Sequence, residues 1–283
     1  MLCSGLPSPP CCFLAFARYV VTLFVSVIAL TVAGRIVTLS DAAQFCAGWP
    51  LCIPSAPVGW LKLAHLSLVG IASILMALVF RKAWREQRSH RLILPLTTIL
   101  GVMFFGQALV GAALISQSGE RHLFVLHTLT TVALWISLGM LVYASGVSHE
   151  VTSAPSAAGK LQRAKDLFTL TKPLIVGLLL ITTYGGLVIG MKAIPPFSLT
   201  FWTLLGGALA AGGSGALNQY IDRELDRRMQ RTAKRPMADG RLTDAEGLAF
   251  GLGMSLISYY LLACFVNDLA ALLSLAGIAY YVI

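Results

Sequence analysis

A chain of 283 residues that is 57% hydrophobic and only 12% charged has the composition of a membrane protein, not of a soluble globule. Its formal charge of +9 would suit a nucleic-acid partner, but the basic residues gather in short segments between apolar stretches. Such segments set membrane orientation and meet anionic lipid, so lipid is the expected partner and nucleic acid is not.

Eight apolar stretches of bilayer-spanning length follow one another, near 18–38, 61–80, 92–115, 123–145, 173–191, 198–218, 246–266 and 269–283. They predict an all-α polytopic membrane protein. With the N-terminus on the cytoplasmic side, the inner segments hold 17 of the 21 Lys and Arg residues. That positive-inside bias places the N-terminus and segment 219–245 on the cytoplasmic face of the cell membrane. The last stretch ends inside an apolar run, which is expected of a fragment.

In chain order, Cys46 and Cys52 lie in the first outer loop, CAGWPLC. Outside the cytoplasm a pair this close can form a disulfide, structural or redox-active. His65 and His127 each lie a few residues into a span, and the two spans run in the same direction, so the imidazoles share one depth. Intramembrane histidines need partners, and imidazoles from facing bundle helices suit haem iron. The alternative is two separate histidines, each bonded to a neighbouring carbonyl or hydroxyl. His122 reads as solvated, and His90 and His149 are given no role. Segment 146–168, rich in Ser, Ala and Pro, reads as a cytoplasmic linker between domains 1–145 and 169–283.

Beyond the linker, Asn218, Asp222 and Asp226 recur at i, i+4 and i+8 in LNQYIDRELDRRMQRTAKRP. Helical spacing puts them on one face. Carboxylates in a row bind Mg²⁺, which commonly bridges to substrate phosphates, and Arg231, Lys234 and Arg235 could hold the same phosphates. The alternative is a solvated, salt-bridged helix end.

The first 145 residues resemble the N-terminal half of the haem A synthases. The likeness rests on Cys46, Trp49, Pro50 and Cys52 of C-x-x-W-P-x-C, on His65, and on GQALVGA followed by His127. It implies a four-helix bundle with His65 and His127 as ligands of a b-type haem and Cys46–Cys52 as a disulfide. Lys62 departs from it, since that family often has Glu three residues before its first histidine. The second four-helix half is absent, although pairing of two half-bundles in a homo-oligomer could restore four histidines.

From Thr169 the chain resembles the intramembrane prenyltransferases, and among them the protoheme IX farnesyltransferases. Leu170–Pro173 (LTKP) and Gly215–Pro236 carry the likeness, the latter matching N-x-x-x-D-x-x-x-D-x-x-M-x-R-T-x-x-R-P at every fixed position. It implies the first four helices of the prenyltransferase bundle, with farnesyl diphosphate and protoheme IX as substrates. Asp222 and Asp226 then hold Mg²⁺, Asn218 orients the metal shell, and Arg231, Lys234 and Arg235 hold the diphosphate. Lys172 reaches the diphosphate or a haem propionate, or is a snorkelling anchor. That family's second acidic motif lies beyond this chain, so the fragment alone is expected to be inactive.

Three functions follow. The first is a fused enzyme of haem O and haem A formation. The second is a prenyltransferase acting on a quinone or chlorophyll precursor, and the third a non-catalytic bis-histidine membrane cytochrome.

Overall fold

The computed structural model of the protein describes residues 10–46, 52–116, 121–146 and 159–283. Trp49, Pro50, His149 and residues 147–158 of the expected linker lie outside the described residues. Among those described, the structure is all-α: α1 (Pro10–Leu39), α2 (Gly59–Glu86), α3 (Ile93–Ser116), α4 (Arg121–Gly146), α5 (Lys160–Leu170), α6 (Pro173–Met191), α7 (Phe197–Arg228), α8 (Asp244–Phe265) and α9 (Asp268–Val282). A single 3-10 turn, Ala42–Phe45, follows α1.

Six of these helices, α1 to α4, α6 and α8, are long and apolar enough to cross a membrane. Two of the eight expected spans differ. α9 has only 15 residues. In α7 the glycines Gly206, Gly207, Gly212, Gly213 and Gly215, with Ser214, lower the hydropathy of a helix that is otherwise long enough.

The chain divides into two compact units, Met1–Glu86 with Met103–Ser148, and Gln87–Val102 with His149–Ile283. In the first, α1 packs on α2 and α4. The buried positions Phe16, Val20, Leu23 and Val27 on α1, and Ala72, Met76, Val79 and Ala83 on α2, each repeat at i, i+4, i+7 and i+11. Each set makes one stripe; the opposite faces are also apolar, as lipid requires.

In the second unit α7 lies against α6, α8 and α9. Small residues allow the α7–α8 approach. A β-carbon at Gly206 would lie 2.6 Å from Leu262, and one at Gly251 2.8 Å from Leu217. The Ser258 hydroxyl closes the seam by donating to the Gly206 carbonyl at 2.8 Å. The first turns of α3 belong to this unit because Thr98 abuts Gly253 and the Arg88 carbonyl accepts from the Thr243 hydroxyl at 2.7 Å.

α5 begins within the expected linker and ends in the first residues of the second expected domain. Its inward stripe is Arg163, Asp166, Leu167 and Leu170. A stripe half made of charges gives little apolar periodicity, so the sequence there reads as irregular.

At Gly213 an added β-carbon would lie 2.7 Å from the Ser255 hydroxyl and 3.0 Å from its amide nitrogen, whereas Gly207 has open space around it. Gly213→Val is expected to lower unfolding free energy by about 1–3 kcal/mol in a denaturant titration in micelles. Gly207→Val should change it by no more than about 0.5 kcal/mol.

Candidate functional site

The turn Leu170–Pro173 is pressed against the small face of α7. A β-carbon at Gly215 would lie 3.2 Å from the Leu170 carbonyl, and one at Gly212 3.1 Å from Thr171. Gln219 Nε2 donates to that same Leu170 carbonyl at 3.1 Å. Lys172 then adopts the left-handed conformation at φ 53°, immediately before Pro173 opens α6. A residue before proline is disfavoured in the right-handed helical region. The left-handed alternative is itself strained for a residue with a β-carbon, and the packed turn holds it in place.

The result is that Lys172 points at the predicted helix face. Its ammonium donates to Asn218 Oδ1 at 2.9 Å and to the Tyr281 hydroxyl at 3.2 Å. Asn218 Nδ2 in turn donates to Asp222 Oδ2 at 2.9 Å. Cation, amide and carboxylate form one chain of bonds, and both Asn218 and Asp222 remain partly exposed.

Asp226 is in a different state. It is 2% exposed, and its two oxygens accept from Arg235 Nη1 at 3.0 and 2.8 Å. Its backbone carbonyl accepts from the Thr232 hydroxyl at 3.2 Å. Arg227 Nε donates to the Ala238 carbonyl at 2.9 Å, and Arg241 pairs with Asp166 of α5 and donates to the Lys234 carbonyl. Met237 is buried where Gly247 leaves room for its sulfur. Segment 229–243 is thus tied down at several points. Arg231 and Lys234 are exposed and make no ion pair among the described residues.

The structure therefore brings Lys172, Asn218 and Asp222 together, commits Arg235 to Asp226, and leaves Arg231 and Lys234 free at the surface. Sequence reasoning missed Tyr281, which no motif marks. It also missed Arg241 and Asp166, which lie 75 residues apart. Among the described residues no group of three or more His, Cys, Asp or Glu is arranged to hold a metal ion.

In the first unit, the structure joins Cys46 and Cys52 in a disulfide. His65 packs against Gly34, where a β-carbon would lie 3.1 Å from its Cε1, and His127 packs against Gly111 at 3.5 Å. Each ring has a buried Nδ1 without a hydrogen-bond partner. Gln107 fixes the turn that carries His127. Its Nε2 donates to the His127 carbonyl at 2.8 Å and to the Thr131 hydroxyl, and its Oε1 accepts from Thr130.

Residues 179–283 match the UbiA prenyltransferase family. The chain is also 36% identical over 274 residues to a protein named protoheme IX farnesyltransferase from Roseiflexus castenholzii, covering 89% of this chain and 51% of the relative. A protein of the same name from Roseiflexus sp. is 37% identical over 270 residues, covering 88% and 50%. Alignments of that length run through both units. Another of that name, from Streptomyces avermitilis, is 44% identical over 121 residues, covering 43% of this chain and 40% of its own. The chain spans about half the length of the Roseiflexus relatives. No solved structure matches it.

The two ends of the Asp226–Arg235 pair are unequal, at 3% and 29% side-chain exposure. Removing the cation strands a buried carboxylate, whereas removing the carboxylate leaves a guanidinium that reaches water. Arg235→Met is expected to cost about 3 kcal/mol and Asp226→Asn about 1 kcal/mol. Arg235→Met should also speed tryptic cleavage at Arg231 and Lys234, read by limited proteolysis.

Proposed function

We propose that the protein acts in haem O formation, transferring a farnesyl group from farnesyl diphosphate to protoheme IX at the Lys172–Asn218–Asp222 end of α7. The observation that carries this reading is the bonded chain from Lys172 through Asn218 to Asp222, beside the exposed Arg231 and Lys234. The relatives' shared name supports the substrate class. The positive-inside bias supports a cytoplasmic position for this site.

The partly exposed Asp222 carboxylate fits Mg²⁺, which takes hard oxygen ligands and often only one or two carboxylates beside substrate phosphates. When bound, the ion supplies Lewis-acid stabilisation of a leaving diphosphate. Asp222 is the residue best placed to hold it, with Asn218 orienting that carboxylate. Asp226 would join only by exchanging its bonds with Arg235. Lys172, Arg231 and Lys234 offer positive charge to the diphosphate as the C–O bond breaks and its electron pair moves to oxygen. Arg235 acts at one remove, holding the segment that carries Arg231 and Lys234. The exposed apolar sides of α6 and α9, with Leu174, Leu178, Leu269 and Leu273, offer the farnesyl chain an apolar setting.

The first unit serves in this reading as a haem A synthase-like haem-binding domain. Two buried imidazole nitrogens without hydrogen-bond partners, on rings that Gly34 and Gly111 allow to pack close to α1 and α3, support a b-type haem held by His65 and His127.

Two measurements test the function. In the full-length protein, Asp222→Ala should lower Mg²⁺-dependent farnesyl transfer to protoheme by about 10²-fold or more, the scale of a lost transition-state charge contact; full activity would remove Asp222 from the metal site. The absorbance spectrum of the purified protein should show a Soret band that His65→Ala and His127→Ala each diminish. A band unchanged in both variants removes the ligand assignment.

A further inference from the structure

Lys62 lies in the first turn of α2 and is 6% exposed. Its ammonium donates at 2.6 Å to the Cys46 carbonyl. Among the described residues it makes no ion pair. An ammonium has three donors, so one neutral acceptor leaves the charge largely uncompensated. Burying such a charge costs several kcal/mol unless an anion accompanies it.

The site around it is built, not incidental. The disulfide to Cys52 fixes Cys46, which is fully buried. The neighbouring Phe45 carbonyl accepts from the Ser55 amide at 2.8 Å and from its hydroxyl at 3.0 Å. A β-carbon at Gly59 would lie 2.6 Å from that same carbonyl, so only glycine lets α2 start so close to the loop. The loop therefore holds the Lys62 ammonium in one place. Lys62 and His65 are three residues apart on one face of α2.

We propose that Lys62 is a carboxylate-binding residue of the first unit, its ammonium taking a propionate of the tetrapyrrole whose iron His65 holds. This rests on the haem reading of His65 and His127. Iron lies at the centre of the macrocycle and the propionates at its edge, which calls for an imidazole and a cation on the same helix face a turn apart. The disulfide then has a defined part in ligand recognition, since it anchors the carbonyl that places the ammonium.

The test uses the full-length protein in uncharged phosphatidylcholine nanodiscs, titrated with haem b and with its dimethyl ester, which lacks the propionate charges. Soret absorbance gives both affinities. Wild type is expected to bind haem about tenfold more tightly than the ester, the scale of one charge-assisted bond. Lys62→Met should erase that preference while keeping the band position, and Lys62→Arg should keep the preference. Equal affinity of wild type for the two ligands overturns the proposal without any variant, and so does a preference that survives Lys62→Met. A Soret band that stays where it lies in protein-free nanodiscs, with both ligands, overturns the haem reading and this inference with it.

Discussion

A carboxylate that is almost wholly out of water must be neutralised, and Asp226 meets that demand through two bonds from Arg235. Much of the second unit's polar end follows from it. Arg235 brings segment 229–243 back onto the end of α7. Thr232 reaches the Asp226 carbonyl, Met237 fills the space beside Gly247, and Arg241 reaches Asp166 on α5. α8 then begins with a capping box, in which Thr243 and Glu246 satisfy each other's backbone amides. Glu246 is itself fully buried, with Arg163 at 3.5 Å. α5, the loop and the start of α8 are thus joined by pairs in which one member is buried and the other reaches water.

This arrangement divides the labour within one basic segment. Arg235 and Arg241 are spent on structure, and their distances to Asp226 and Asp166 leave them little freedom. Arg231 and Lys234 face outward from a backbone that the other two have fixed. A phosphate arriving there would meet cations already positioned, which lowers the entropic cost of holding it. The same logic applies to Lys172. Its strained backbone is held by the packed turn, so the ammonium is aimed before any substrate is present.

Much of this was legible in the sequence. The i, i+4, i+8 spacing of Asn218, Asp222 and Asp226 placed them on one helix face, and the Asn218–Asp222 bond is what that spacing allows. The eight apolar stretches all became helices because a span's hydropathy is a local property. What the sequence hid depends on distant pairs. Nothing local tells Asp226 from Asp222, yet one is buried against a guanidinium nine residues on and the other is partly exposed. Tyr281 approaches Lys172 across 109 residues of chain. α5 was obscured because the face it buries is charged, and its partners Arg241 and Glu246 lie far along the sequence.

The two units present one physical problem twice, a cation placed deliberately beside polar groups at the edge of an apolar bundle. In the second unit Lys172 has an amide oxygen, a hydroxyl and the face of the Tyr281 ring, and it is partly exposed. In the first, Lys62 has one carbonyl and almost no water. The better-solvated ammonium can bind an anion and release it at modest cost in either direction. The buried one is left short of partners without an anion, so its free energy falls more when one arrives. The proposed diphosphate site would need the first kind of cation, which can release its anion, and the proposed haem site the second, which would hold its ligand.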